Sequence, residues 1–355
     1  MTMNVAYSCM DNYAQHAGVS ILSLLENNKD IDEICVYIID NHISEENKNN
    51  LKKIVADYDR KIVFVDLYEL SKSLKSATDF CRSTYGKLFF PELEDVDRML
   101  SFDCDTVVTG SLKDLLEMDM TDTLVAGVQD TVNPYFVHKI GLTNKDRYIN
   151  CGGVIVLNLD LWRKMGTEKL CVDYVEEFNG NPPFVDQGTI NKFCKDHKQI
   201  LSPKYNVINP MFMYSVKQIK KLFKMETYYT QEEIDDAKKN PLVIHFTGEL
   251  YNRPWFSNCT HPLKDEYVKY LKMSPWSSEL NEGDESKNGK IQKFVYYKCP
   301  FFVYRMMIKF IEVRHKLTNR SMGNLRSSRQ VSMLKKKTSR MPGRKCICRT
   351  ADAIT

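Results

Sequence analysis

Residues 3–67, MNVAYSCMDNYAQHAGVSILSLLENNKDIDEICVYIIDNHISEENKNNLKKIVADYDRKIVFVDL, decide the fold. Met3–Ser8, Ile34–Ile39 and Lys61–Leu67 are short apolar runs of the kind that form buried strands. Between them, Ala14–Leu25 carries apolar residues at helical spacing. Ser44, followed by Glu46 and Asn47, opens a polar-faced helix predicted to run through Tyr58. Strand, helix, strand, helix, strand argues for βαβ units and a largely parallel sheet.

The pattern continues outward from there. Arg98–Phe102 is predicted as the next strand, followed by Thr123–Val128 and Gly153–Leu159. Asp186–Cys194 is predicted as a helix, and Leu242–Phe246 as a late strand ending near a histidine. No internal repeat is present. Ser277–Gly289 is polar and without periodicity, so 277–289 is expected to be a linker between a body at 1–276 and an extension at 290–355.

Charge divides the chain in the same place. Residues 287–355 hold 18 Lys/Arg against 2 Asp/Glu, a net of +16, while residues 1–286 hold 32 against 44, a net of −12. An acidic globular body is thus joined to a strongly basic tail. Within the tail, Phe294–Val313 mixes aromatics, Met and Ile with Lys298, Arg305, Lys309 and Arg314, and Pro300 interrupts any single helix. Arg320–Lys345 is basic and Ser-rich and is expected to be disordered. The 11 cysteines are scattered, and Met1–Tyr7 runs straight into a strand pattern with no signal peptide, so free thiols in a reducing cytoplasm are expected. Cys346 and Cys348 have the wrong spacing for a zinc knuckle. No stretch reaches the ~18 apolar residues of a spanning helix.

The chemistry starts at Asp103-Cys104-Asp105, two carboxylates one residue apart beyond an apolar strand. That is where α/β sheets bind ligands. On a continuing strand the two side chains share a face and reach one ion, and hard oxygen ligands suit Mg²⁺ or Mn²⁺ holding a diphosphate. His245, followed by Phe246, Thr247 and Gly248 and then Arg253, adds an imidazole and a phosphate-directed cation. Mixed Asp/His ligation shifts the preference toward Mn²⁺. Asn150-Cys151-Gly152-Gly153 precedes a buried strand, where glycine permits close approach of backbone to ligand. Asp186-Gln187-Gly188 offers a carboxylate and an amide at a helix start; a plain N-cap is the ordinary reading of such an aspartate.

These residues carry a resemblance. Asp11-Asn12-Tyr13-Ala14, Thr84-Tyr85-Gly86-Lys87-Leu88, Asp103-Cys104-Asp105, Asn150-Cys151-Gly152-Gly153-Val154, Asp186-Gln187-Gly188 and His245-Phe246-Thr247-Gly248 resemble glycosyltransferase family 8, in order and spacing, over roughly residues 3–260. That family contains the bacterial lipopolysaccharide galactosyl- and glucosyltransferases and glycogenin, retaining enzymes of GT-A fold. The resemblance implies a Rossmann-like mixed central sheet flanked by helices over 1–276. It also implies that Asp103, Asp105 and His245 ligate Mn²⁺ (or Mg²⁺) bridging a UDP diphosphate. It assigns Tyr13 to stacking on uracil, Asn12 to the nucleoside, Asp103 also to the ribose or sugar side, and Lys87 to the donor sugar or phosphate. Asp130, Asn150 and Asp186 would bind sugar hydroxyls, Gln187 would lie near the anomeric carbon, and Gly248 and Arg253 would hold the leaving diphosphate. Met10-Asp11 departs from the family's frequent acidic pair, which bears on uracil selection.

The expected activity is transfer of glucose or galactose from UDP-glucose or UDP-galactose, with retention, to a saccharide acceptor of cell-surface glycan synthesis. The basic tail is expected to lie on an anionic membrane surface, placing a cytoplasmic enzyme at the inner face of the plasma membrane. No nucleic-acid recognition motif accompanies its charge. The rival readings are a nucleotidyltransferase, which needs neither Asp186-Gln187 nor His245, and a nucleotide-sugar-binding scaffold without turnover.

Overall fold

The computed structural model describes residues 2–311 apart from 78, 134–136, 144, 278–279 and 284–286. The basic segment from 312 onward, with Cys346 and Cys348, lies outside the described residues. Residues 1–283 form one unit, and the described part of 284–355 belongs to a second.

The first unit is built on a seven-stranded mixed sheet. Its strands are β1 (Met3–Met10), β2 (Ile34–Asn41), β3 (Lys61–Asp66), β4 (Arg98–Phe102), β6 (Val125–Gly127), β7 (Val154–Asn158) and β8 (Lys198–Ile200). Their order is β3-β2-β1-β4-β7-β6-β8. β1, β2, β3 and β4 run parallel, and β7 is antiparallel to both β4 and β6. Period-2 alternation feeds two cores. Val5, Tyr7 and Cys9 of β1 pack with Val36, Ile38 and Leu100 on one face, and Ala6 packs with Ile39 and Met99 on the other. Helix α1 (Ala14–Asn27), rich in Ala, Leu and Ile, lies almost entirely inside the first core. Helix α2 (Glu45–Ala56) starts on the side-chain cap of Ser44 and buries one face through Leu51, Ile54 and Val55.

The strand order places the site. The chain moves from β1 outward to β2 and β3, then returns to add β4 on the other side of β1. The carboxyl ends of β1 and β4 therefore flank a topological switch point, the crevice in which open α/β sheets bind ligands. Phe102 pairs with Val154 and Gly127 with Ile155, so Asp103, Gly153 and the segment after β6 emerge at one edge. A second sheet of β5 (Thr106–Val108), β9 (Val207–Ile208) and β10 (Val243–His245) adds the last element. His245 stands opposite Thr106 in β5 and Ile208 in β9.

The short strands β5, β8 and β9 are not among the predicted elements, whereas the equally short β6 and β10 lie within the longer predicted runs Thr123–Val128 and Leu242–Phe246. Within the segment 277–289, Asn281 O accepts from Ser257 N and Gly283 N donates to Asn258 Oδ1. The helix Lys287–Lys298 begins inside the same segment. A second helical stretch, residues 301–311, follows Cys299 and Pro300. No helix among the described residues is long and apolar enough to cross a membrane.

Gly18 gives a test of how the first unit closes. A Cβ there would lie 2.3 Å from Trp276, whose indole donates to Asn47 Oδ1 on α2 at 2.9 Å. Helix propensity favours alanine over glycine by about 1 kcal/mol, but forcing a rigid indole aside costs about 1–3 kcal/mol. Gly18→Ala is therefore expected to lower the urea midpoint, and Gly18→Ala/Trp276→Leu to recover part of the loss.

Candidate active site

Asp103, Cys104 and Asp105 lie in the turn between β4 and β5, not on a continuing strand. The sequence expectation that the two carboxylates share a strand face is corrected by this turn. Thr106 Oγ1 closes it by donating to Asp103 O at 2.8 Å, and Asp103 N donates to Gly153 O at 3.3 Å. The carboxylates converge because β10 brings His245 beside them: Nε2 stands 3.3 Å from Asp105 Oδ1. Ligand atoms of Asp103, Asp105 and His245 all lie within 4.8 Å of one another. Gly152 packs against this cluster so closely that a Cβ would fall 2.6 Å from Asp103 Oδ2 and 2.7 Å from His245 Cε1. Glycine is required here by contact.

A second set of side chains joins the first through Lys87. This ammonium is buried on the 3₁₀ segment Gly86–Glu92, 3.0 Å from Asp186 Oδ2 and 3.6 Å from Asp103 Oδ1. It also donates to Cys151 O at 2.9 Å. Burial opposes its charge, but the two carboxylates outweigh burial and raise its pKa. Deleting one member of such a buried set typically costs 3–5 kcal/mol, because a charge is left uncompensated.

Asp186 is not an N-cap. It lies in the first turn of the helix Val185–Phe193, entered through Phe184 and Val185 with φ of 61° and 51°. Non-glycine residues rarely adopt that conformation, which costs about 1–3 kcal/mol each. Gly188 makes the tight entry feasible, since a Cβ there would meet Pro183 O at 2.0 Å. The neighbouring Gln187 has both amide ends engaged: Oε1 accepts from Cys151 N at 3.0 Å and Nε2 donates to Asp130 Oδ2 at 2.7 Å. Asp130 also accepts from Thr131 N, and burial raises its pKa against the hydrogen bonds from Gln187, Thr131 and Asn150. Asn150 is buried, and its Oδ1 has no hydrogen-bond partner among the described residues.

On the far side, Arg253 pairs with Asp105 Oδ2 and donates to Phe246 O. Burial by itself would raise the Asp105 pKa, but His245 and Arg253 hold it well below the carboxylate range. Gly248 (φ 95°) packs on the Arg253 guanidinium, and its carbonyl accepts from the buried Asn209 at 2.8 Å. Tyr13 and Asn12 lie on the exposed turn after β1; Tyr13 meets Trp255 edge-on at 6.4 Å. The Asp11 carboxylate is held by Ser44 N and Asn47 Nδ2, and so anchors this turn to α2.

The structure therefore joins Asp103, Asp105, Asp130, Asn150, Asp186, Gln187, Lys87, His245 and Arg253 in one network, with Tyr13 and Asn12 on its rim. Sequence reasoning missed three asparagines. Asn191 pins the Ile149 backbone by donating to its carbonyl and accepting from its amide, both at 2.8 Å. Asn206 and Asn209 flank β9 and reach His245 and Gly248. The available signal was an amide at either end of a two-residue apolar run between Pro203 and Pro210.

The donor set fits a divalent cation. The carboxylates of Asp103, Asp105 and Asp186 meet two fixed cations, Lys87 and Arg253, and Asp130 joins the set through Gln187. A hard dication suits two carboxylates and an imidazole that already converge.

A mixed sheet with this carboxylate turn at its switch point is what the resemblance to GT-A glycosyltransferases implies. The family model described as glycosyl transferase family 8 matches residues 4–259, and the chain belongs to that family. General stress protein A of Bacillus subtilis (strain 168) is 26% identical over 282 residues, 78% of this chain and 95% of its own length. A lipopolysaccharide 1,2-glucosyltransferase of Escherichia coli is 28% identical over 284 residues, 78% of this chain and 79% of the relative. The solved galactosyltransferase LgtC, in complex with donor and acceptor sugar analogs, shares the fold. It superposes with a TM-score of 0.62 at 21% identity, covering 81% of this chain and 99% of that one.

The site's rim sets a pH dependence. His16 stacks on Trp255 at 3.8 Å and His261 packs on Phe246; burial lowers each pKa to about 4. In the unfolded chain each takes up a proton near pH 6.5, whereas the folded protein does not until about pH 4. Their effect on stability is nil above about pH 7. It grows as a loss while pH falls from 6.5 toward 4, on the order of 2–3 kcal/mol each. The raised His245 acts in the opposite sense, its stabilisation being present at low pH and lost as pH rises through its folded value. Urea midpoints between pH 7.5 and 4.5 are expected to fall with pH, and a His16→Gln/His261→Gln variant is expected to show a flatter slope.

Proposed function

We propose that this glycosyltransferase moves a hexose, glucose or galactose, from a UDP-sugar to a saccharide acceptor, retaining the anomeric configuration. One observation carries the proposal: the convergence of Asp103, Asp105 and His245 at the switch point, tied through Lys87 to Asp186. The names of the lipopolysaccharide glucosyltransferase and of LgtC support a hexose donor and a cell-surface glycan acceptor.

In this reading Asp103, Asp105 and His245 hold Mn²⁺, with Mg²⁺ as the alternative. When bound, the cation supplies Lewis-acid neutralisation of the diphosphate. Tyr13, exposed and backed by Trp255, offers its ring to uracil, with Asn12 beside the ribose. Asp11 is already engaged by Ser44 and Asn47, and the Met10 thioether offers the uracil ring no strong acceptor, so stacking contributes more to base binding than edge recognition does. Asp186, Asp130 and Asn150 bind sugar hydroxyls, Asn150 Oδ1 being a buried acceptor without a donor among the described residues. Arg253 and the Gly248 backbone direct positive charge at the leaving phosphate.

Gln187 is a neutral amide locked between Cys151 N and Asp130, a poor nucleophile held still. Transfer then proceeds by front-face attack. The acceptor oxygen bonds to the anomeric carbon as the bond to the UDP β-phosphate oxygen breaks, and that oxygen takes the acceptor's proton. Gln187 and Asp186 stabilise the positive charge that builds on the sugar.

UDP release by the purified protein is expected only with Mn²⁺ and only with one of UDP-glucose and UDP-galactose. Asp105→Ala is expected to lower it by at least a hundredfold. Mn²⁺-dependent UDP binding with no release in the presence of candidate acceptors points instead to a non-catalytic scaffold.

The extension is proposed as a catalytic domain's membrane contact. In its described part Ile291, Phe294, Tyr297, Phe302, Met306 and Phe310 are each more than half exposed, with Lys290, Lys298 and Lys309 exposed among them. Apolar side chains interleaved with cations suit the surface of an anionic bilayer, where each Lys/Arg adds about 1 kcal/mol. The full chain is expected to cosediment with vesicles containing phosphatidylglycerol and not with neutral ones. Phe302→Glu/Phe310→Glu is expected to weaken that binding at least tenfold without changing UDP release from the UDP-sugar in the presence of a soluble acceptor.

A further inference from the structure

His245 is held on both sides. Its Nε2 faces Asp105 at 3.3 Å, and its Nδ1 lies 3.2 Å from Asn206 Oδ1. Asn206 Nδ2 in turn donates to Gly152 O at 3.1 Å. This second bond orients the amide: its nitrogen must face the carbonyl, so its oxygen faces the imidazole. An amide oxygen can only accept, and Nδ1 therefore carries a proton. Nε2 is left as the ring nitrogen turned to Asp103 and Asp105: it donates to Asp105 while no cation is bound, and it is the nitrogen that would ligate a cation taking that proton's place.

The amide has little freedom to do otherwise. Asn206 is fully buried at the head of β9, whose Ile208 pairs with His245. Gly153, at φ 65°, packs against it so tightly that a Cβ would lie 2.2 Å from Asn206 Oδ1 and 2.6 Å from Nδ2. Three segments meet on this one side chain: the Gly152-Gly153 turn, β9 and the end of β10. In water a histidine favours the opposite tautomer, with the proton on Nε2. The partner of the non-ligating nitrogen is what decides the form in a protein.

We propose that Asn206 is a positioning residue that fixes His245 as its Nδ1–H tautomer and thereby sets the affinity of the Asp103–Asp105–His245 cluster for a divalent cation. The proposal rests on the metal-dependent reading above. Gly152 and Gly153 then have distinct parts: Gly152 leaves room for the ligands themselves, and Gly153 leaves room for the amide that aims one of them.

The test uses the full-length protein with Asn206→Ala, Asn206→Asp and His245→Ala. Long-range ¹H–¹⁵N spectra of histidine-labelled protein report the tautomer, the His245 signals being those missing from His245→Ala. Free Mn²⁺ measured by electron paramagnetic resonance, with UDP present, reports affinity. With diamagnetic Mg²⁺ and UDP bound, so that Nε2 carries no proton, the Nδ1–H form is expected in the wild type and in Asn206→Asp, which keeps an acceptor and the side-chain size. Asn206→Ala is expected to lose that form and to bind Mn²⁺ 10- to 100-fold more weakly, the range for removal of a ligand's outer hydrogen-bond partner. An Nε2–H tautomer in the wild type with Mg²⁺ and UDP bound, or wild-type affinity in Asn206→Ala, overturns the proposal. So does an equal loss of affinity in both Asn206 variants with the tautomer unchanged, which marks a purely architectural role. Wild-type protein that binds neither Mn²⁺ nor Mg²⁺ refutes the metal reading itself, an outcome distinct from a bound cation with the wrong tautomer.

Discussion

Lys87 brings a full positive charge into a pocket where it is only 6% exposed, and the rest of the site depends on how that charge is answered. Its partners come from distant parts of the chain: Asp103 from the β4–β5 turn, Asp186 from the first turn of a helix, Cys151 O from the segment before β7. An ammonium in a low-dielectric setting is tolerable only when such partners are fixed around it. The ion set thus has two effects. It locks three segments into one register, and it leaves an excess of carboxylate beside His245 that a dication would balance.

Close backbone approach does the rest of the positioning. Gly152, Gly153 and Gly188 each stand where a Cβ would overlap Asp103, Asn206 or the Pro183 carbonyl. The strained Phe184–Val185 entry is paired with Gly188, so local strain is accepted in order to aim Asp186 at Lys87 and Gln187 at Asp130. Buried asparagines then tie the backbone on either side: Asn191 to Ile149, Asn206 to Gly152, Asn209 to Gly248. Each of these amides satisfies a buried carbonyl, while Asn150 Oδ1 and Asn209 Oδ1 find no donor among the described residues.

The long elements were legible in the sequence because their periods are. Three apolar runs separated by helical patterns became β1, α1, β2, α2 and β3 within two or three residues of the expected ends, and Arg98–Phe102 emerged with the expected bounds. The motifs were equally plain as residue types: paired aspartates after a strand, a histidine at a strand end, glycines before another. Their geometry was not. Asp103 and Asp105 converge through a turn that a strand reading gets wrong, and Asp186 answers a lysine about a hundred residues earlier in place of capping its own helix.

By itself, then, the sequence determined the α/β class, the order of the main strands, the charge division near residue 287 and the list of groups able to do chemistry. Those properties are local: periodicity, composition and residue type are complete within a short window. Only the tertiary structure decided which of those groups meet. The switch between β1 and β4, the pairing of His245 with Thr106 and Ile208, and the reach of Asn206 to His245 all join residues separated by tens to hundreds of positions. Contacts of that span are set by packing the whole sheet and the burial of its polar groups, and no window of sequence contains them.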